Sequence, residues 1–368
     1  MKKAISILLT FAALSIVPTA GLLAQTWTPR GPAPRSLHTA VFDPPTKRMI
    51  VFGGSPDANL TQSNLNDVFW LQNASGIGRS LLWQAVAPTG ARPAARLEHS
   101  AVYDSASSRM IVFGGGLGRS SPCVNDLWIL NNANGGSGSP AWIRSSPTGP
   151  QPVPREAHTA VYDPNSNRMI IFGGNGCFHT SYSDVWVLSN ANGLTGTPAW
   201  AQLAPTGSSP SARYGASAVY DPTNNVMLIY GGEASGTFPG DLWILSHANG
   251  FGGTPAWTQL TVPGAAPAGR AYSSAVYDAV NNRMTIFAGG TSSGLLNDVW
   301  VLSNANGLGG TPTWTQLTPS GSIPPAPRTS HTAVYDAAAN VMTIFGGLID
   351  PQEIPANDVF VLQHANGL

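Results

Sequence analysis

The chain has 368 residues, with 18 lysines and arginines against 18 aspartates and glutamates, 41 glycines, 31 prolines and 2 cysteines. A net charge of zero leaves no basic excess for phosphate contacts, which excludes a general nucleic-acid or anionic-membrane binder. The composition suits a glycan, peptide or protein partner. In chain order, Met1-Lys2-Lys3, an apolar run from Ala4 to Val17 and the small residue Ala24 read as a secretory signal peptide over residues 1–24, which predicts a secreted or periplasmic protein. No later stretch approaches the ~20 continuous apolar residues of a membrane-spanning helix. Residues 25–368 are then one domain, expected to be monomeric.

That domain repeats itself. Glycine pairs at Gly53-Gly54, Gly114-Gly115, Gly173-Gly174, Gly231-Gly232, Gly289-Gly290 and Gly346-Gly347 recur every 57 to 61 residues. Around each pair runs the same phrase: an Arg, a small-residue run ending in Tyr-Asp or Phe-Asp, a Met-containing run into the glycines, an Asp-Val-Trp-like run and a final Trp. The third copy reads His158–Asp163, Arg168–Gly173, Asp184–Leu188 and Trp200–Leu203, four β-branched and aromatic runs separated by Asp, Asn, Pro and Gly. Tight turns such as Asp163–Arg168 make successive runs antiparallel neighbours. A four-stranded sheet cannot bury both faces alone, so copies must stack around an axis. The expected fold is all-β: a six-bladed β-propeller with four antiparallel strands per blade, the blades near 35–83, 96–142, 155–200, 213–257, 270–314 and 328–362. The last copy lacks its Trp run, and Trp27 is expected to supply that strand.

The phrase resembles the kelch repeat, matched six times over nearly all of residues 25–368. The resemblance implies a kelch-type propeller with the first run of each copy innermost.

Subtracting the repeat removes most residues that look chemical. Twelve of the fourteen aspartates hold two fixed places in the phrase, as turn or cap devices. His38, His99, His158 and His331 share one inner position, where they pack or face the channel as metal ligands; no ligand spacing marks a metal site, and no cofactor is called for. Arg35, Arg96, Arg155, Arg213, Arg270 and Arg328 stand once per copy before the innermost run, on the face of the most variable loops. They either pin their own turns or present forks to a carboxylate ligand, as the resemblance to some acidic-peptide-binding kelch-like propellers implies. Among residues outside the phrase on this face, Glu98, Glu156, His179, Tyr214, Glu233 and Tyr272 are the candidate contacts. Cys123 and Cys177 lie at one level of neighbouring copies, and an exported chain permits their disulfide.

No catalytic constellation is assembled, and no catalytic residue is assigned: nucleophile elbows and zinc-helix motifs are absent, and four glutamates make a glycosidase pair hard to build. The expected function is a secreted binding protein that uses the arginine-bearing face. Two alternatives remain: a carbohydrate-active enzyme resembling the mutarotases, or less closely the galactose oxidases, and a structural surface-assembly protein.

Overall fold

The computed structural model describes residues 31–58, 63–118, 122–176, 180–321, 323–349 and 354–368. The expected signal peptide, Trp27, Cys177 and His179 lie outside the described residues. Each copy of the phrase folds as the turns require. In the third, Thr159–Asp163, Arg168–Phe172, Val185–Ser189 and Ala199–Leu203 form an antiparallel meander in which Ile170 faces Val161 on one side and Val187 on the other. The middle strands read as continuous apolar runs because both their faces are covered: Met169, Ile170 and Ile171 have no exposed surface. The outermost strand buries little besides Trp200.

Six sheets occur among the described residues, and their innermost strands neighbour one another in a closed circuit, from Thr39–Asp43 round to Thr332–Asp336 and back. The expectation of six complete blades needs correction. Five sheets carry the full four-stranded meander, one of them extended by the short strands Arg328–Thr329, Leu348–Ile349 and Ile354–Pro355. The last sheet has three strands among the described residues, Thr332–Asp336, Val341–Phe345 and Val359–Gln363.

Apolar surface is buried between sheets, and one aromatic pair marks five of the junctions. The last Trp of one sheet lies over the second-strand aromatic of the sheet before it: Trp83 over Phe345, Trp142 over Phe52, Trp200 over Phe113, Trp257 over Phe172 and Trp314 over Tyr230, with ring centroids 4.7–5.4 Å apart. Phe287 breaks the series. It lines a cavity of about 300 Å³ with Val299, Met342, Ile344, Phe360 and Leu362.

Polar clips complete each junction. Asn134, Asn192, Asn249, Asn306 and Asn366 each donate Nδ2 to the Asp that ends the first strand of the preceding sheet, at 2.6–3.2 Å. The Asn-Ala-Asn-Gly loops are therefore structural. The first sheet has Ser75 in that place, and the aspartate it would have served, Asp336, instead receives Lys47 Nζ at 2.9 Å. Trp70 stands one place beyond the usual Trp position, which Phe69 takes, and its indole N–H crosses to the carbonyl oxygen of Ala133 at 2.7 Å.

The six arginines are not placed as an open carboxylate-binding mouth. Arg35, Arg96, Arg155, Arg213, Arg270 and Arg328 are 0–2% exposed, and each forks onto the Asp opening the third strand of its own sheet: Asp67, Asp126, Asp184, Asp241, Asp298 and Asp358. Arg213 is typical. Its Nη1 and Nη2 donate to Asp241 at 2.6 and 2.9 Å, Nη1 also reaches the Gly231 carbonyl, and Nε reaches that of Ser211. One guanidinium thus ties the incoming loop, the end of the second strand and the start of the third. Burial alone would raise the pKa of Asp126, Asp184, Asp241 and Asp298, but the arginine's hydrogen bonds and charge outweigh it and hold them below the usual carboxylate range. Arg213→Ala leaves a carboxylate and two carbonyls without their donor and is expected to cost about 3–5 kcal/mol in urea unfolding. Arg213→Lys should not rescue it, because an ammonium cannot reproduce the planar fork.

Candidate functional site

The loops that the arginines fix converge at the axis. Two residues after each Arg, the chain sits at positive φ: Leu37, Glu98, Ala157, Gly215, Tyr272 and Ser330 lie between 51° and 62°. Each donates its N–H to the carbonyl of its counterpart in the preceding sheet, and Leu37 donates to Ser330, so six backbone hydrogen bonds of 2.7–3.1 Å close a ring. The left-handed conformation is unfavourable for residues with a Cβ. The ring over-determines it, and it turns the five side chains it carries toward a common mouth.

Directly beneath come the histidines. His38, His99, His158 and His331 are 4–7% exposed. Each brings Nε2 within 2.7–2.9 Å of a Thr or Ser hydroxyl on the first strand of the preceding sheet: Thr332, Thr39, Ser100 and Ser274. Burial, reinforced by the adjacent arginine, lowers all four pKa values, those of His158 and His331 to about 3, so the imidazoles are neutral. All four also pack edge-on against a second-strand Phe of the preceding sheet. These contacts favour the packing role of the two considered for them. Each Nδ1, however, is buried without a hydrogen-bond partner. The fourth and fifth sheets have Ala216 and Ser273 here, with the Ser217 hydroxyl bonded to the Ser273 carbonyl at 2.7 Å.

At the mouth the residues outside the phrase do come together. The ring positions and the layer beneath line a cavity of about 150 Å³. Glu98 from the second sheet and Tyr272 from the fifth meet across it, the phenol donating to Glu98 Oε1 at 2.8 Å. Burial pushes the Glu98 pKa up to about 7, the neighbouring Glu156 adds to the rise, and the Tyr272 hydrogen bond opposes it. Burial and Glu98 together raise Tyr272, while burial and a hydrogen bond to Glu233 raise Tyr214. The two tyrosine rings are edge-to-face at 6.2 Å. Glu98, Glu156, Tyr214, Glu233 and Tyr272 are therefore one cluster, and the arginines lie behind it.

Other residues around it escaped the sequence reading. Leu37 lines the cavity as an ordinary apolar residue would. Gly116 and Gly215 matter for what they omit: a Cβ at 116 would strike the Glu156 carboxylate, and one at 215 would press on the Tyr272 ring at 3.0 Å. The available signal was the ring position itself, where the six copies agree on nothing.

Among the described residues no group of three or more His, Cys, Asp or Glu side chains is disposed to hold a metal, and no helix is long and apolar enough to cross a membrane.

The model for the KLHDC2/KLHL20/DRC7 Kelch-repeats domain matches residues 22–192, 137–303 and 194–367 in overlapping stretches. The chain is 28% identical over 332 residues to a leucine-zipper-like transcriptional regulator 1 homolog of Drosophila melanogaster, covering 86% of this chain and 30% of that protein. It is 34% identical over 149 residues to the host cell factor homolog hcf-1 of Caenorhabditis elegans, covering 39% of this chain and 18% of that protein. The chain thus spans less than a third of the length of these curated relatives. A solved structure, that of YjhT, superposes with a TM-score of 0.63 at 15% identity, covering 91% of this chain and 99% of that one, which shows a shared fold.

The Glu98 environment sets a pH signature. A carboxyl whose folded pKa exceeds its unfolded value of about 4.3 favours the folded state below that value and loses this contribution as pH rises through the folded pKa. The histidines, depressed on folding, tilt the wild-type profile the opposite way at acid pH, so the readout is a difference. Glu98→Gln is expected to be more stable relative to wild type at pH 8 than at pH 5, measured by urea midpoints; a pH-independent difference would contradict this environment.

Proposed function

The chain belongs to the kelch-repeat β-propeller family, and we propose that it is a secreted binding protein that engages a protein or peptide at the ring mouth. Kelch propellers generally bind protein partners. The observation that carries the reading is that Glu98 and Tyr272 meet at one cavity on the axis with Glu156, Tyr214 and Glu233 grouped beside them, all residues the repeat does not require. A rigid ring that presents non-repeating side chains from several loops is a common way to build recognition. Secretion rests on the Lys2-Lys3 pair and the apolar run after it.

The test is a steric plug. Leu37→Trp puts a bulky ring into the mouth without changing charge or touching an arginine clip, and is expected to abolish capture of array-selected peptides while thermal unfolding stays close to wild type. Retained binding would place recognition elsewhere.

We further propose that the segment around Trp27 supplies the fourth strand of the last sheet. The aromatic pairing of five other junctions and the apolar lining of the Phe287 cavity support this. Trp27→Ala is then expected to lower stability by about 3–5 kcal/mol, as for a large buried aromatic, and an unchanged urea midpoint would refute it.

A further inference from the structure

We infer that the ring mouth is a socket for a cationic side chain, a lysine ammonium or arginine guanidinium presented by the partner. This rests on the mouth being the binding place and adds what it selects. The cavity of about 150 Å³ has room for one side-chain head group; an engineered protein cavity of that size takes a benzene ring. Its polar wall is one-sided. Glu98 reaches into it, Glu156 lies close enough to disfavour the Glu98 charge, and Glu233 is held beside them through Tyr214. The positive groups nearest by sequence, Arg35, Arg96, Arg155, Arg213, Arg270 and Arg328, are each committed to an aspartate and buried. The imidazoles lining the cavity are neutral and supply no counter-charge.

Two independent features mark the mouth as built for an occupant. Four histidines at 4–7% exposure line it with their Nδ1 atoms unpartnered, a polar demand that the protein leaves open. Gly116 and Gly215 clear the space that Glu156 and Tyr272 occupy. Within this wall a cation would donate charge-assisted hydrogen bonds to carboxylate oxygens, and the Tyr214 and Tyr272 rings offer aromatic surface beside it. Binding would draw the proton from Glu98, because the cation favours the ionised carboxyl that burial and Glu156 disfavour.

The probe is a capped glycine-lysine-glycine peptide, compared with norleucine and glutamate analogues, titrated calorimetrically into the full-length protein. The lysine peptide is expected to bind at least about tenfold more tightly than the norleucine peptide, the worth of one charge-assisted hydrogen bond. It should bind more tightly at pH 8 than at pH 5, and lose about tenfold in Glu98→Gln. Tyr272→Phe, which keeps the carboxylate, should retain the lysine preference and so separates a lost charge from a disturbed mouth. Equal binding of lysine and norleucine, preference for glutamate, or no saturable binding of the lysine peptide up to millimolar concentration would overturn the socket. An acidic or neutral ligand blocked by Leu37→Trp would leave the mouth as the binding place and refute only its charge selectivity.

Discussion

The buried guanidinium fork is the interaction on which the rest of this molecule depends. An arginine without exposed surface is tolerable only if its charge is neutralised and its donors are satisfied, and here one aspartate and two carbonyls meet both demands in nearly the same geometry in every sheet. The pairs are weak evidence for net stability, since desolvation offsets much of the attraction. Their consequence is positional. Each fork holds the loop that enters a sheet against the end of its second strand, and that loop carries the ring residue two positions later.

The ring then converts six local clips into one cooperative object. Six residues at positive φ, joined by a closed circuit of backbone hydrogen bonds, cannot relax singly, because moving one breaks its bonds to two neighbours. A rigid rim of this kind frees the side chains at the rim from structural duty. Leu37, Glu98, Ala157, Gly215, Tyr272 and Ser330 have nothing in common as side chains, whereas the arginines before them are invariant within the chain. Recognition is accordingly concentrated where the repeat stops constraining side-chain identity, and a net-neutral protein gains a locally acidic mouth by turning its arginines inward.

The fold was legible because the repeat is physical at each of its marks. Asp43 and its counterparts end first strands, and the glycine pairs stand where a side chain would collide: at Gly115, with φ of 98°, a Cβ would lie 2.6 Å from the Leu97 carbonyl oxygen. That Glu98, Glu156, Tyr214, Glu233 and Tyr272 stand outside the phrase was also legible, since subtracting the phrase isolates them. The burial of the arginines was not. A residue repeated once per sheet near a variable loop reads equally as a clip or as a ligand contact, and only the position of its partner aspartate, 28 to 32 residues away, separates the two.

By itself the sequence determined the all-β repeat, the strand order within each sheet and the set of residues free of structural duty, because these follow from local periodicity and turn chemistry. The tertiary structure decided that the arginines face inward, that Glu98 and Tyr272 meet from sheets distant along the chain, and that burial pushes the pKa of a carboxyl at the mouth up to about 7. Those outcomes depend on distances between residues as far apart as 174 positions and on the burial they create together, and neither quantity is encoded in any single copy of the phrase.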